Sequence, residues 1–289
     1  MSVTPPDAES LEKLLKGIKI PPAPAILLKL SNALQKDHPE LAEIGKIIQL
    51  DASLSGLMLK TVNSPMFGLS NKVNSISHAI SLLGIPYTVN IAMGLVLRQT
   101  MDQPKNNLPR FWDSPSNIAL LAAKITSQIL PCSIDEAYLL GLFHNAGHTL
   151  INQKSDGYAD FLSQNSNHPD FSITQLENER YQFDHATLGY YLAVSWGIPD
   201  DLNQIILNHH DVEGFLDETT FFEDKNCQTA LMATLKMAEH FDLLHSGVTE
   251  DHEWNRIKDL VLGYLGLSEF DYQDLKMEML DCLCTELSS

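Results

Sequence analysis

The chain has 289 residues, 44% apolar and 19% charged, the profile of a globular protein with a sizeable core and not of a disordered one. Its 19 Lys plus Arg face 37 Asp plus Glu, a formal charge of −18 that repels a phosphate backbone, and no Lys/Arg run supplies a basic face, so direct nucleic-acid binding is not expected. No apolar run follows a basic start and none reaches about 18 residues, so neither a leader nor a membrane partner is expected and the cytoplasm is the expected location.

In chain order, apolar residues recur at helical spacing almost throughout, as in Leu11, Leu14, Leu15 and Ile18, then Leu41, Ile44, Ile47 and Ile48. Alternating β-branched runs are nearly absent, which predicts an all-α fold. Asp51 and Ser75 have the chemistry and placement of N-caps, as does Ser172, which Gln175 completes as a capping box. Asn63 to Gly68 and Leu83 to Pro86 read as helix–helix turns, with Met66 and Phe67 in the first expected to be buried. Ser114-Pro115 and Ile198-Pro199 place proline where a first helical turn tolerates it. Asp102 to Arg110, polar and holding two prolines, marks a boundary between an N-terminal region and one carrying the histidines, and a second polar loop, Asp211 to Asn226, precedes the last helices. The four cysteines show no framework spacing, and Cys282 and Cys284 read as ordinary thiols near a helix end.

The histidines carry the chemistry. His209 and His210 follow Leu202, Ile205 and Ile206 on an apolar stripe. His185 opens a helix that Asp184 is placed to cap, and His144 follows Leu140 by four in a helix apolar on nearly every side. A buried imidazole needs partners for both nitrogens, and a metal supplies one of them. One such histidine alone reads as an ordinary core residue; four from three helices point to a metal site or a former one. The His144 and His148 spacing of four also matches metalloprotease helices, but Asn145 stands where the general-base glutamate is needed, so that reading fails.

Several motifs in order carry a resemblance: IPPAPAILLKL (Ile20 to Leu30), QLDASLSGLMLKTVNSPMFGL (Gln49 to Leu69), SISHAISLLGI (Ser75 to Ile85), Phe111-Trp112, EAYLLGLFHNAGHTLI (Glu136 to Ile151), FDHATLGYYLAVSWGIP (Phe183 to Pro199) and ILNHH (Ile206 to His210). Over about residues 18 to 212 the chain resembles the HDOD family, the HD-related output domain of bacterial signalling proteins. The resemblance implies an N-terminal helical part over 1–108, an HD-like helical bundle over 109–212 and, beyond the shared core, a helical extension over 213–289 packed on that bundle. It also implies kinship with HD and HD-GYP metal-dependent phosphohydrolases. Carried over, their early histidine falls at Ser114, their His-Asp pair at His144 and Asn145, their downstream histidines at His185, His209 and His210, and their late aspartate at Glu239.

Asparagine for aspartate removes the anionic ligand that holds and bridges hard cations. What remains, His144, His185, His209 and His210 with Glu239 beside them, could still hold one divalent cation, with zinc, iron, nickel and manganese as candidates and no cofactor assured. Two readings stay open. In the leading one the chain is a non-catalytic or vestigial HD-type module of bacterial signal transduction that binds a signalling protein partner or a nucleotide-like ligand. In the other it is a metal-dependent phosphohydrolase in which Asn145 positions water or substrate and Asp211 or Glu239 is the general base.

Overall fold

Caps and glycines set where this chain turns. The computed structural model describes residues 17–36, 38–67, 69, 71–102, 108, 111–217 and 225–286, and among them every regular element is a helix, as the apolar spacing predicts. The first five are α1 (Ala25–Leu34), α2 (Leu41–Gln49), α3 (Ala52–Val62), α4 (Ile76–Leu83) and α5 (Ile85–Met101). Asp51 accepts from Leu54 N at 2.9 Å and Ser75 from His78 N at 3.1 Å, so both are the N-caps the sequence marks. Gly84, at φ 80°, turns α4 into α5 in a single residue, a conformation that L side chains resist. After α3, the Asn63 amide clamps its loop: Nδ2 donates to Leu59 O and Val73 O, and Oδ1 accepts from Val73 N at 2.7 Å. Phe67 in that loop is half-buried and stacks on Tyr87, as expected, while the Met66 side chain lies outside the described residues.

Next come α6 (Asp113–Ile129), α7 (Ile134–Phe143), α8 (Gly147–Lys154), α9 (Tyr158–Asn165), α10 (Ile173–Tyr181), α11 (His185–Ser195), α12 (Asp200–Asn208) and α13 (Val212–Asp217). Pro115 is the third residue of α6 and Pro199 the N-cap of α12. Helix α7 is buried from Ala137 to Phe143 because α5 packs on one side of it and α6 on the other. The last three are α14 (Lys225–His245), which lies on α6, then α15 (His252–Leu265) and α16 (Glu269–Glu286). One apolar cluster runs from Ile18 to Leu283 through all these parts. The Trp196 indole ties the ends of the family motifs together by donating to Pro21 O at 2.9 Å.

The structure departs from the sequence reading at one loop and at one pair of cysteines. The expected loop from 211 to 226 contains α13, because Val212 and Phe215, three apart, both bury their side chains; residues 218–224 lie outside the described set. Of the expected boundary at 102–110, only residues 102 and 108 are described. Cys132, in the turn between α6 and α7, pairs as a disulfide with Cys227 at the start of α14; 95 residues separate them, so no spacing signal announced the pair. Cys282 and Cys284 lie on α16, outside that disulfide. Among the described residues no helix is long and apolar enough to cross a membrane.

Two glycines make opposite predictions. A Cβ at Gly147 would overlap the His185 carbonyl oxygen and lie 2.8 Å from Gly189 N, so α8 reaches α11 only through glycine. Gly147→Ala is expected to cost about 1–3 kcal/mol in urea unfolding. Gly263 sits exposed within α15 with nothing within 4 Å, so Gly263→Ala is expected to add about 0.5–1 kcal/mol. Equal effects at the two positions would contradict this packing.

Candidate metal centre and adjoining cavity

The stretch GLFHNAGH spans a break in the helix. Helix α7 ends at Phe143 with His144 as its C-cap, and through Asn145 and Ala146 the backbone closes tighter turns, with Ala146 N bonding Phe143 O and His148 N bonding Asn145 O. The sequence reading put His144 and His148 on one helix face; this break gives them different surroundings. The His144 ring is fully buried, and its Nδ1 must donate to Gly141 O at 2.8 Å because a carbonyl only accepts. His148 opens α8 and stacks on His185 with ring centroids 3.8 Å apart.

Asp184 caps α11 by accepting from Thr187 N at 2.8 Å, which fixes His185 in the first turn. A buried carboxylate then holds that histidine: Glu177 Oε2 accepts from His185 N at 2.9 Å and from His185 Nδ1 at 2.7 Å. Its Oε1 accepts from the Tyr158 hydroxyl, whose oxygen in turn accepts a hydrogen bond from His148 Nδ1 at 2.5 Å. His209 Nδ1 donates to Ile206 O at 2.7 Å, and His210 Nδ1 donates to Glu253 Oε1 at 3.1 Å.

With each Nδ1 donating its proton to an acceptor, the neutral ring forms of His185, His209 and His210 present lone pairs on their Nε2 atoms. They point at one another: His185 Nε2 lies 3.2 Å from His209 Nε2 and 3.2 Å from His210 Nε2. Three converging lone pairs with no proton between them repel unless a cation sits among them. Tetrahedral ligands bound at about 2.0–2.1 Å stand roughly 3.3 Å apart, so the three imidazoles fit a metal ion, with Glu177, Ile206 O and Glu253 as the outer partners that orient them. Burial pushes His185 down to about 3, against the pull of Glu177, and burial and the neighbouring histidines push His209 well below its ordinary value, so both are neutral, as ligands must be. Burial opposes the charge on Glu177, but His185 and His148 together hold it ionised, well below the usual carboxylate range.

A second group of donors adjoins the first. His144 Nε2 and Asn145 Oδ1 are buried without a hydrogen-bond partner, and Glu239 Oε1 lies 3.5 Å from His144 Nε2. Glu239 Oε2 is paired with the buried Lys236 ammonium at 2.7 Å, and Lys236 also pairs with Glu253 Oε2 at 2.8 Å. Burial disfavours the charge on Glu239, yet the Lys236 ammonium beside it brings its carboxyl down to about 2. Ser114, at the position of the early histidine, donates to Asp242 Oδ2 at 2.5 Å, and Asn117 donates to Asp242 Oδ1. A cavity of about 300 Å³ opens beside these groups, with Glu239, Asp242, Asp251 and Glu253 in its wall and Arg256 its cationic side chain.

Of the residues expected from the sequence, His185, His209 and His210 come together. His144 lies beside them, its ring 5.3 Å from that of His209, but its Nε2 faces Glu239. Asn145 and Glu239 line the cavity. Asp211 directs its carboxylate to Gly214 N at the start of α13. Sequence reasoning missed Glu177, Tyr158, Lys236 and Glu253. Glu177 had a signal, since it sits four residues from both Ile173 and Tyr181 on the inward stripe of α10; so had Lys236, a cation between the buried Leu235 and Met237.

An all-helical bundle enclosing converging imidazoles and buried carboxylates places the chain in a class of HD-like helical proteins. A family model for the HDOD domain matches residues 20–212, and the chain belongs to that family. It is 27% identical over 211 residues to an uncharacterized protein of Treponema pallidum (strain Nichols), matching 67% of this chain and 38% of that protein, so it spans about two-fifths of that relative. Among solved structures it is similar to an HDOD domain protein of unknown function from Geobacter sulfurreducens, with a TM-score of 0.70, 20% identity and 97% of each chain covered. A Shewanella amazonensis SB2B protein provisionally named a metal-dependent phosphohydrolase matches with a TM-score of 0.67 at 16% identity, over 95% of this chain and 96% of that one. A Marinobacter aquaeolei VT8 protein provisionally named a signal transduction protein matches with a TM-score of 0.66 at 18% identity, over 97% of this chain and 65% of that one.

The buried histidines predict how stability depends on pH. His148, His185 and His209 are lowered from 6.5 chiefly by burial, so below about pH 6.5 the unfolded chain binds more protons than the native one and stability falls with pH. Glu177 and Glu239, held below 4.5 by their partners despite burial, extend the loss toward about pH 2. Asp242, raised by burial, acts in the opposite sense but is outnumbered. Thermal melts in chelator should therefore show Tm falling steadily from pH 7 through 5.5 to 4. A Tm unchanged between pH 7 and 5 would mean that these imidazoles titrate freely in the native state.

Proposed function

We propose that this protein is a non-catalytic HD-type module of bacterial signal transduction, binding a protein partner and holding a single metal ion at His185, His209 and His210. The carrying observation is the contrast between its two donor sets. The three Nε2 atoms converge, that of His185 lying 3.2 Å from each of the other two, and each ring is oriented by a partner on Nδ1, a set suited to zinc, nickel or iron(II). The adjoining set has a neutral amide at Asn145 and a hydroxyl at Ser114, positions where the family resemblance implies an anionic ligand and an imidazole. Without a bridging carboxylate, a pair of hard cations to clamp a phosphate ester is not supported there. A bound metal would supply Lewis acidity and a polarised water; on this reading its part here is to fix α11 and α12 against each other.

The name of the Marinobacter neighbour favours the signalling role, and that of the Shewanella neighbour marks the competing one. Four carboxylates around the cavity disfavour an anionic nucleotide-like ligand, which narrows the ligand choice to a protein partner.

Metal analysis and a hydrolysis screen test this reading together. Tag-free protein purified without chelator should carry about one zinc, nickel or iron ion per chain and lose it in His209→Ala. Bis(p-nitrophenyl) phosphate and cyclic dinucleotides should stay intact when manganese, iron(II) or nickel is added. Turnover that disappears in His144→Ala would overturn the non-catalytic assignment.

A further inference from the structure

We infer that Lys236 is the built-in counter-ion of a second cation position, and that its ammonium keeps a divalent metal out of the donor set His144, Asn145 and Glu239. The inference rests on the single-metal reading above and says why the count stops there. Lys236 is 3% exposed, in a stretch of α14 where Leu235, Met237 and Ala238 are buried. A lysine is rarely buried so fully without ion partners, and this one has two: Glu239 Oε2 at 2.7 Å and Glu253 Oε2 at 2.8 Å.

The neighbouring atoms are all acceptors. His144 Nδ1 gives its proton to Gly141 O, which leaves a lone pair on Nε2; that atom and Asn145 Oδ1 are buried with no donor, and Glu239 Oε1 lies 3.5 Å from His144 Nε2. Such a set suits a cation, yet a cation already stands beside it: the Lys236 ammonium on Glu239 Oε2, shared with Glu253. A hard divalent ion entering there meets that resident positive charge, and Glu239 is engaged on its other oxygen. Lys236 also acts on the first site, because the carboxylate it holds, Glu253, accepts from His210 Nδ1. One ammonium thus positions an imidazole of the occupied site while closing the adjoining one.

A merely structural ion pair would behave differently when removed, and the test uses that difference. Wild type, Lys236→Met and Lys236→Met/Glu253→Gln are stripped with chelator, reloaded with zinc or manganese, desalted, and assayed for metal per chain and for Tm with and without metal. The single variant removes the ammonium at similar volume. The double variant also removes one anion, preserving the net charge of the cluster and an acceptor for His210 should the single variant fail to fold. Each folded variant is expected to bind about one more ion than wild type, and the metal-induced rise in Tm should exceed that of wild type. That extra ion should survive His209→Ala and vanish in Glu239→Gln. Variants that bind no more metal than wild type, with a Tm loss that metal does not repair, would overturn the role assigned to Lys236. The wild-type count separately tests the single-metal reading, which zero or two ions would contradict.

Discussion

A carboxylate at zero exposure organises this molecule. Glu177 accepts the backbone N–H and the Nδ1–H of His185 with one oxygen and the Tyr158 hydroxyl with the other. A buried anion with a missing partner is costly, so each of these groups is held in one place and one tautomer. From that follows the direction of the His185 Nε2 lone pair, and with it the convergence on His209 and His210. The same anion reaches His148 through Tyr158 and thereby ties α8, α9, α10 and α11 into one polar network inside an apolar core.

The second constraint is close backbone approach. Gly147 lets α8 touch the first turn of α11, and Gly141 lets α7 lie against Ala119 of α6. Both glycines come from GLFHNAGH, so the motif that carries the histidine also sets the helix spacing around it. Its asparagine is then understood through charge. Beside Asn145, among the described residues, the Lys236 ammonium stands between two carboxylates, Glu239 and Glu253, which share it. On the proposed reading the centre therefore has two characters: an imidazole set open to one borderline-soft ion, and a carboxylate-bearing set whose cation position an ammonium already fills.

Much of this was legible in the sequence. Helical spacing, the caps at Asp51, Ser75, Ser172 and Asp184, and the family motifs define the fold, and apolar stripes leading into His209 and His210 turn those rings inward. What was not legible depends on contacts remote along the chain. Lys236 and Glu253 become site residues only because α14 and α15 fold back on the histidine-bearing helices. The Cys132–Cys227 pair joins elements 95 residues apart. The break after His144 was hidden because Leu140, His144 and His148 keep a spacing of four across it; only the close contact of Gly147 with α11 shows why the helix cannot run on unchanged.

On the proposed reading this centre holds three imidazole ligands and one cation position. X-ray absorption at the zinc edge of reconstituted wild-type protein distinguishes that arrangement from a two-metal centre. About three imidazole nitrogens are expected at about 2.0–2.1 Å with a light-atom ligand completing the shell, and no metal–metal scattering. A metal–metal vector near 3.5–4 Å, or a shell without imidazole, would contradict it.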